Sequence, residues 1–179
     1  MKFRPPVGSE DPAEWANFRD AYLHHLNQLR GILPDHVLRL AYLEGIEDGL
    51  IVEVSHNRTK RMLRLVLRCG YIQMGYYDLV LIYEDAEISL EHERVLAQLA
   101  RRTPVDCSGY VPEVFRFELD VTEDGRIEHR IQFHVYPEQS YLSNWFSIRC
   151  RTLRWYKISR PHRIIPALLD RFPEGPSVE

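Results

Sequence analysis

Between residues 115 and 135 the chain alternates apolar and polar side chains with few exceptions, and this pattern constrains the fold more than any other feature. Phe115, Phe117, Leu119 and Val121 alternate with Arg116, Glu118 and Asp120; Ile127, Ile131, Phe133 and Val135 then alternate with Arg126, Arg130 and Gln132. Successive strand side chains point to opposite faces, so a period of two predicts a hairpin with one apolar and one wet face. The apolar positions are odd-numbered in both strands. Opposed residues must therefore sum to an even number, which selects a three-residue loop, Glu123-Asp124-Gly125, over a two-residue Asp-Gly turn. Gly125 would take the left-handed position. This register sets Phe115 opposite Phe133, Phe117 opposite Ile131 and, on the wet face, Glu118 opposite Arg130.

The same period recurs earlier. Leu50, Val52 and Val54 alternate with Ile51, Glu53 and Ser55, and Leu63, Leu65 and Leu67 with Arg64, Val66 and Arg68. The polar segment 57–61 between them predicts a short antiparallel connection. A third strand, about 76–84, is apolar on both faces at Leu79-Val80-Leu81-Ile82, which suggests an interior position. Gly70 and Gly75 flank the turn that leads into it. A last strand, about 144–158, alternates Phe146, Ile148 and Cys150 against Ser147, Arg149 and Arg151, then slips parity at Leu153 and Trp155; a bulge near Thr152 accounts for the slip. Helix signals flank these strands. Asp11 as N-cap, Pro12 at the first position and Glu14 in the first turn open a helix over about 12–31, with a stripe of Trp15, Phe18, Tyr22, Leu26, Leu29 and Ile32. Residues 35–42 fit either a short second helix or a strand, with the helix favoured. Ser89 caps another that runs to about Arg102, with Val95, Leu96 and Leu99 toward the sheet.

The expectation is one α+β domain over 1–179: an antiparallel meander sheet of about six strands spanning about 49–158, with the N-terminal and mid-chain helices on one face and a frayed tail at about 172–179. At 179 residues and 45% apolar side chains, one substantial core suffices. Three cysteines at wide spacing (Cys69, Cys107, Cys150) do not make a disulfide framework, and no apolar run approaches the roughly 20 residues that span a bilayer. With no secretion signal at the start, a cytoplasmic, non-membrane protein is expected.

The net charge of −3 lacks the basic excess of many nucleic-acid binders. Its distribution is uneven. Residues 78–93 hold Asp78, Glu84, Asp85, Glu87, Glu91 and Glu93 without a Lys or Arg; residues 148–163 hold Arg149, Arg151, Arg154, Lys157, Arg160 and Arg163 without an acid. Two poles of opposite sign are expected. No glycine-rich phosphate loop and no Gly-x-Ser-x-Gly elbow occurs. His129 and His134 fall on opposite faces of one strand by parity, with His129 in the apolar register, and Asp20 with His24 gives two ligands on a helix face without a third. Neither metal nor cofactor is expected. Cys69 and Cys150 lie in strands as inert thiols, and the neighbours of Cys107 offer no cation to lower its pKa.

Ile46-Glu47-Asp48-Gly49-Leu50-Ile51, with the strand Leu63 to Gly70 and Gly75-Tyr76-Tyr77-Asp78-Leu79, resembles a group of small uncharacterised bacterial proteins, some of whose relatives resemble immunity proteins of polymorphic toxin systems. The group opens its first strand with His-Asp; Asp48 matches, and Glu47 stands in place of the histidine. The resemblance implies a binding role with no catalytic residue to carry over.

Three readings follow. The first is a non-catalytic protein-interaction module that binds a protein partner, toxin-neutralising in its narrowest form, with Glu47 and Asp48 as candidate binding residues. The second is nucleic-acid binding through Arg149, Arg151, Arg154, Trp155 and Lys157, where cations for phosphates interleave with an aromatic for stacking; the bland account of the same run is a charged edge strand. The third is an enzyme whose site is assembled from scattered residues such as Glu47 and Asp48, which are otherwise turn residues.

Overall fold

A computed structural model of the chain describes residues 2–3, 11–43, 45–94, 113–134 and 145–162. Among the described residues, helices α1 (Pro12–Gln28) and α2 (Asp35–Leu40) precede seven strands: β1 (Leu50–Asn57), β2 (Met62–Tyr71), β3 (Gly75–Glu84), β4 (Glu113–Val121), β5 (Ile127–His134), β6 (Trp145–Cys150) and β7 (Thr152–Arg160). All pairings are antiparallel, in the order β6-β5-β4-β1-β2-β3-β7. The α+β class and the antiparallel sheet are as expected, and the seventh strand arises because the expected last strand breaks in two at Arg151. The order is not a simple meander. Two three-stranded meanders, β1-β2-β3 and β4-β5-β6, meet at one residue pair, Leu50↔Glu113.

The two ends of that order are consecutive in the chain. β6 runs into β7 through Arg151 alone, β7 pairs along the length of β3, and Arg149 bridges to Glu87 just beyond β3. The sheet thus rolls back on itself like a barrel. Bulges supply the curvature, since an extra residue bends a strand and sharpens its twist. One lies at Val52, between Ile51↔Leu67 and Glu53↔Val66, and sends Ile51 and Val54 toward the core. Another lies at Phe115; at Arg151, where a bulge near Thr152 was expected, the chain instead bends between two strands that pair with different partners. The enclosed core draws on every strand, with Leu65, Leu81, Tyr83, Leu119, Phe146 and Leu153 almost wholly buried.

The hairpin of β4 and β5 follows the parity argument over most of its length. Phe117 opposes Ile131, Glu118 opposes Arg130 and Leu119 opposes His129; Thr122 N–H donates to the Arg126 carbonyl around Glu123-Asp124-Gly125, with Gly125 at φ +78°. At the open end the expected pair fails. Val114, not Phe115, faces Phe133, because the Phe115 bulge reverses inward parity and turns Val114 into the core. The even-numbered face is not wet either. Glu118, Gln132, Asp120 and Glu128 are all buried, since α1 and Lys2-Phe3 lie across this face and Arg130 reaches three of its carboxylates.

α1 begins as expected, with the Asp11 carboxylate accepting from Ala13 N–H and Pro12 at the first position. Leu26 and Leu29 are buried. Ile32, expected on the same stripe, is exposed: the helix stops at Gln28, Gly31 turns the chain at φ +83°, and Leu33 takes the core position. Ser89 Oγ accepts from His92 N–H and residues 90–94 are helical. The continuation to Arg102 with Val95, Leu96 and Leu99, as well as Val135, Cys107 and the tail at 172–179, lies outside the described residues. No helix among the described residues is long and apolar enough to cross a membrane.

Candidate functional site

Below Leu50↔Glu113 the strands β1 and β4 diverge, and α1 lies across the gap. A strand edge left without a neighbour needs other partners for its amides. The Tyr22 hydroxyl accepts from Leu119 N–H at 2.8 Å, and Asp120 turns its own Oδ1 back to Val121 N–H at 2.9 Å. Between helix and edge lies a half-open cleft of about 650 Å³, walled by Trp15, Phe18, Arg19, Tyr22 and Leu23 of α1 and by Arg116, Phe117 and Glu118 of β4, with Phe3 and Glu47 at its margins. The Arg116 guanidinium carbon sits 3.9 Å from the centre of the Trp15 ring, a cation–π contact that joins the two walls.

One end of the cleft is heavily charged. Glu118 is buried, and its two carboxylate oxygens accept from the consecutive backbone N–H groups of Lys2 (2.7 Å) and Phe3 (2.8 Å). Lys2 Nζ lies 3.3 Å from Asp120 Oδ2, and His25 Nε2 comes within 3.0 Å of Asp120 Oδ1 without hydrogen-bond alignment. Burial alone would raise the Asp120 carboxyl; the Val121 amide, Lys2 and His25 outweigh it and hold the group below its ordinary value. Burial acts likewise on Glu128, where Ser147, Arg130 and Arg149 prevail and keep it ionised. Glu47, at the exposed rim, is different: partial desolvation lifts its carboxyl, opposed by Arg116. Burial also raises the Tyr22 phenol, which therefore stays protonated.

The sequence candidates separate into two places. Glu47 lines the cleft. Asp48 serves the backbone: at φ +65°, its N–H donates to the Val114 carbonyl at 2.7 Å beside the β1–β4 join. Both are turn residues. The basic run lies at the β6–β7 corner and does not form one surface. Arg149 and Arg154 are exposed and ion-paired with Glu128 and Glu84, while Arg151 occupies the exposed corner. Trp155 and Lys157 point to the other face, as the parity change across the bend at Arg151 requires. The Trp155 indole N–H donates to the His36 carbonyl at 2.6 Å while His36 Nε2 bonds the Leu153 carbonyl at 3.0 Å, so the indole clamps α2 to β7; the Lys157 ammonium lies 4.1 Å from the centre of the Tyr77 ring.

The two charge poles are neighbours in space rather than opposite ends. Strand pairing between β3 and β7 places the acids of one against the cations of the other: Glu84 with Arg154, and Asp78 with Arg160 at 2.6 Å and with buried Arg68. Asp85 meets Arg61 and Arg126 at 2.7 Å each.

Inside the barrel, His129 is fully buried, its Nδ1 hydrogen-bonded to the Tyr83 hydroxyl at 2.8 Å and its Nε2 without a partner. Desolvation pulls its pKa down to about 3 and pushes the nearby Cys150 thiol up to about 12. These are core groups in uncharged form. No set of three or more His, Cys, Asp or Glu that could hold a metal occurs among the described residues.

The walls of the cleft have no separate signal in the sequence, because an apolar helix stripe looks the same whether it lines a cleft or fills a core. Trp15, Phe18 and Tyr22 are on the apolar stripe, but only Leu26 within the helix and Leu29 at its C-terminal cap are buried; the N-terminal half overhangs the diverging edge of β4. In comparisons with known proteins, no family model, no curated protein and no solved structure matches this chain.

Proposed function

We propose that this protein acts by binding, and that the cleft between α1 and the edge of β4 receives a segment of a protein partner. The observation that carries this reading is the lining of the cleft. Half-exposed Trp15, Phe18 and Tyr22 beside the stacked guanidinium of Arg116 form the kind of aromatic and arginine cluster that anchors protein interfaces, and a space of about 650 Å³ accepts several side chains. Polar groups at one end fix direction. The resemblance of residues 46–88 to immunity-like bacterial proteins supports the narrower form, in which the partner is a toxin that this protein neutralises in the cytoplasm.

The test uses the tagged protein as bait in its native host, followed by calorimetry on whatever purified partner is recovered. Trp15→Ala with Phe18→Ala should weaken that partner at least tenfold, whereas Arg149→Ala with Arg151→Ala should leave it unchanged, since anchors in a desolvated pocket outweigh exposed charges. A partner indifferent to the cleft substitutions and lost with the arginine pair would place recognition at the β6–β7 corner and end this reading.

A further inference from the structure

Phe3 lines the cleft and Lys2 adjoins it, the pair held as a ligand would be. Glu118 offers both oxygens to their consecutive amides, and a carboxylate held this way selects a bent main chain that turns successive N–H groups in one direction. The Phe3 ring packs on Tyr22 and His25 with centroids 5.4 and 4.8 Å away. Lys2 adds a cation to a group rich in carboxylates: Glu118, Asp120 and Glu128 surround the Arg130 guanidinium, His25 Nε2 lies 3.0 Å from Asp120, and mostly exposed Arg149 reaches Glu128 at 3.4 Å. The carboxylates are buried while the Lys2 side chain is half exposed, so the acidic floor is fixed and its cationic cover lies at the surface.

We infer that the Lys2-Phe3 segment is an internal stand-in for the partner, and that the partner presents the same chemistry, a bent peptide in which a lysine or arginine precedes an aromatic residue. This rests on the cleft being the binding site. The partner displaces Lys2 from Asp120 and Phe3 from Tyr22, so the segment restrains binding until a better-anchored competitor arrives, the remainder of which extends toward Trp15 and Phe18.

The probe is a fluorescent peptide carrying residues 1–6, Met-Lys-Phe-Arg-Pro-Pro, titrated by anisotropy into the full chain and into the full-chain variant Lys2→Glu with Phe3→Ala. The variant should bind at least tenfold more tightly than the parent; Glu118→Gln in the same background should remove most of the gain, and a probe with glutamate in place of its lysine should not bind. Circular dichroism establishes that each variant is folded, and Phe3→Ala alone, a milder change, should still give a measurable gain. Equal affinity for parent and variant, or no binding to a folded variant, overturns the inference. So does a dimer in sedimentation whose copies exchange this segment. If the probe binds the freed cleft but partner capture ignores Trp15, the functional reading fails and the peptide site stands; if capture needs Trp15 but the probe does not bind, only the present inference fails.

Discussion

The buried histidine makes a quantitative prediction about pH. His129 is walled in by apolar neighbours, and desolvation holds its pKa near 3, against about 6.5 in an unfolded chain. Between those values the unfolded chain carries a proton on this residue that the folded protein refuses. The unfolded state then binds more protons, so stability must fall as pH falls, with a slope of about 1.4 kcal/mol per pH unit. From pH 7.5 to 4.5 the loss attributable to this residue is about 3 kcal/mol, a large share of the roughly 5–15 kcal/mol typical of a domain. Carboxylates such as Asp120 and Glu128, held below their ordinary values, also lose stability in acid, so the readout must be a difference. The comparison is His129→Leu with Tyr83→Phe, which removes both partners of the 2.8 Å bond and leaves neither polar group orphaned. Urea unfolding followed by tryptophan fluorescence at pH 7.5, 5.5 and 4.5 gives the two stability curves. The parent should lose ground on the variant by about 3 kcal/mol at the lowest pH. Parallel curves would falsify the assignment of His129 as a neutral core group.

Two further predictions concern the sheet. Asp78→Asn removes the carboxylate shared by Arg68 and Arg160 and should cost about 3 kcal/mol or more, whereas Glu84→Gln, which breaks the exposed pair with Arg154, should cost less than about 1 kcal/mol; chemical denaturation of the two variants tests the ranking. Gly70→Ala places a Cβ 2.1 Å from the Gly75 carbonyl oxygen at φ +100° and should lower the melting temperature far more than Gly125→Ala, where φ is +78° but the space is open and only the left-handed penalty of about 1–2 kcal/mol applies. Equal shifts would mean that backbone conformation, not the close approach across the β2–β3 ladder, makes glycine necessary there.

What could be read from the sequence was whatever depends on neighbours in the chain. Alternation located the strands, Gly125 and parity placed the hairpin loop, and the parity slip at Leu153 marked an irregularity near Thr152, though as a bulge in one strand and not as a division into two. The Phe115 bulge left no such mark, because local alternation continues through it and only the pairing with β5 reveals the extra residue. The even-numbered face of β4 and β5 was polar and so read as wet; its burial depends on α1 and on Lys2, which is more than a hundred residues distant from Glu118 and Asp120. The charge poles were real in the sequence, but their separation was not, since β3 and β7 are adjacent in the sheet. For the same reason Trp155 looked like a stacking platform: nothing near it in sequence shows that its indole is bonded to His36.

The strand that turns the corner at Arg151 has a consequence for how the molecule is made. Residues 145–160 finish the β4-β5-β6 group through β5 and cover the edge of the β1-β2-β3 group through β3, and the second of these joins links segments far apart in the polypeptide. Loop closure over such separations is slow, and a chain emerging from the ribosome must wait for this final hairpin-length stretch before β3 and β5 lose their open flanks. Until then the half-built protein carries the flanks of β3 and β5 open, and edges of this kind are where a growing chain is exposed to mispairing.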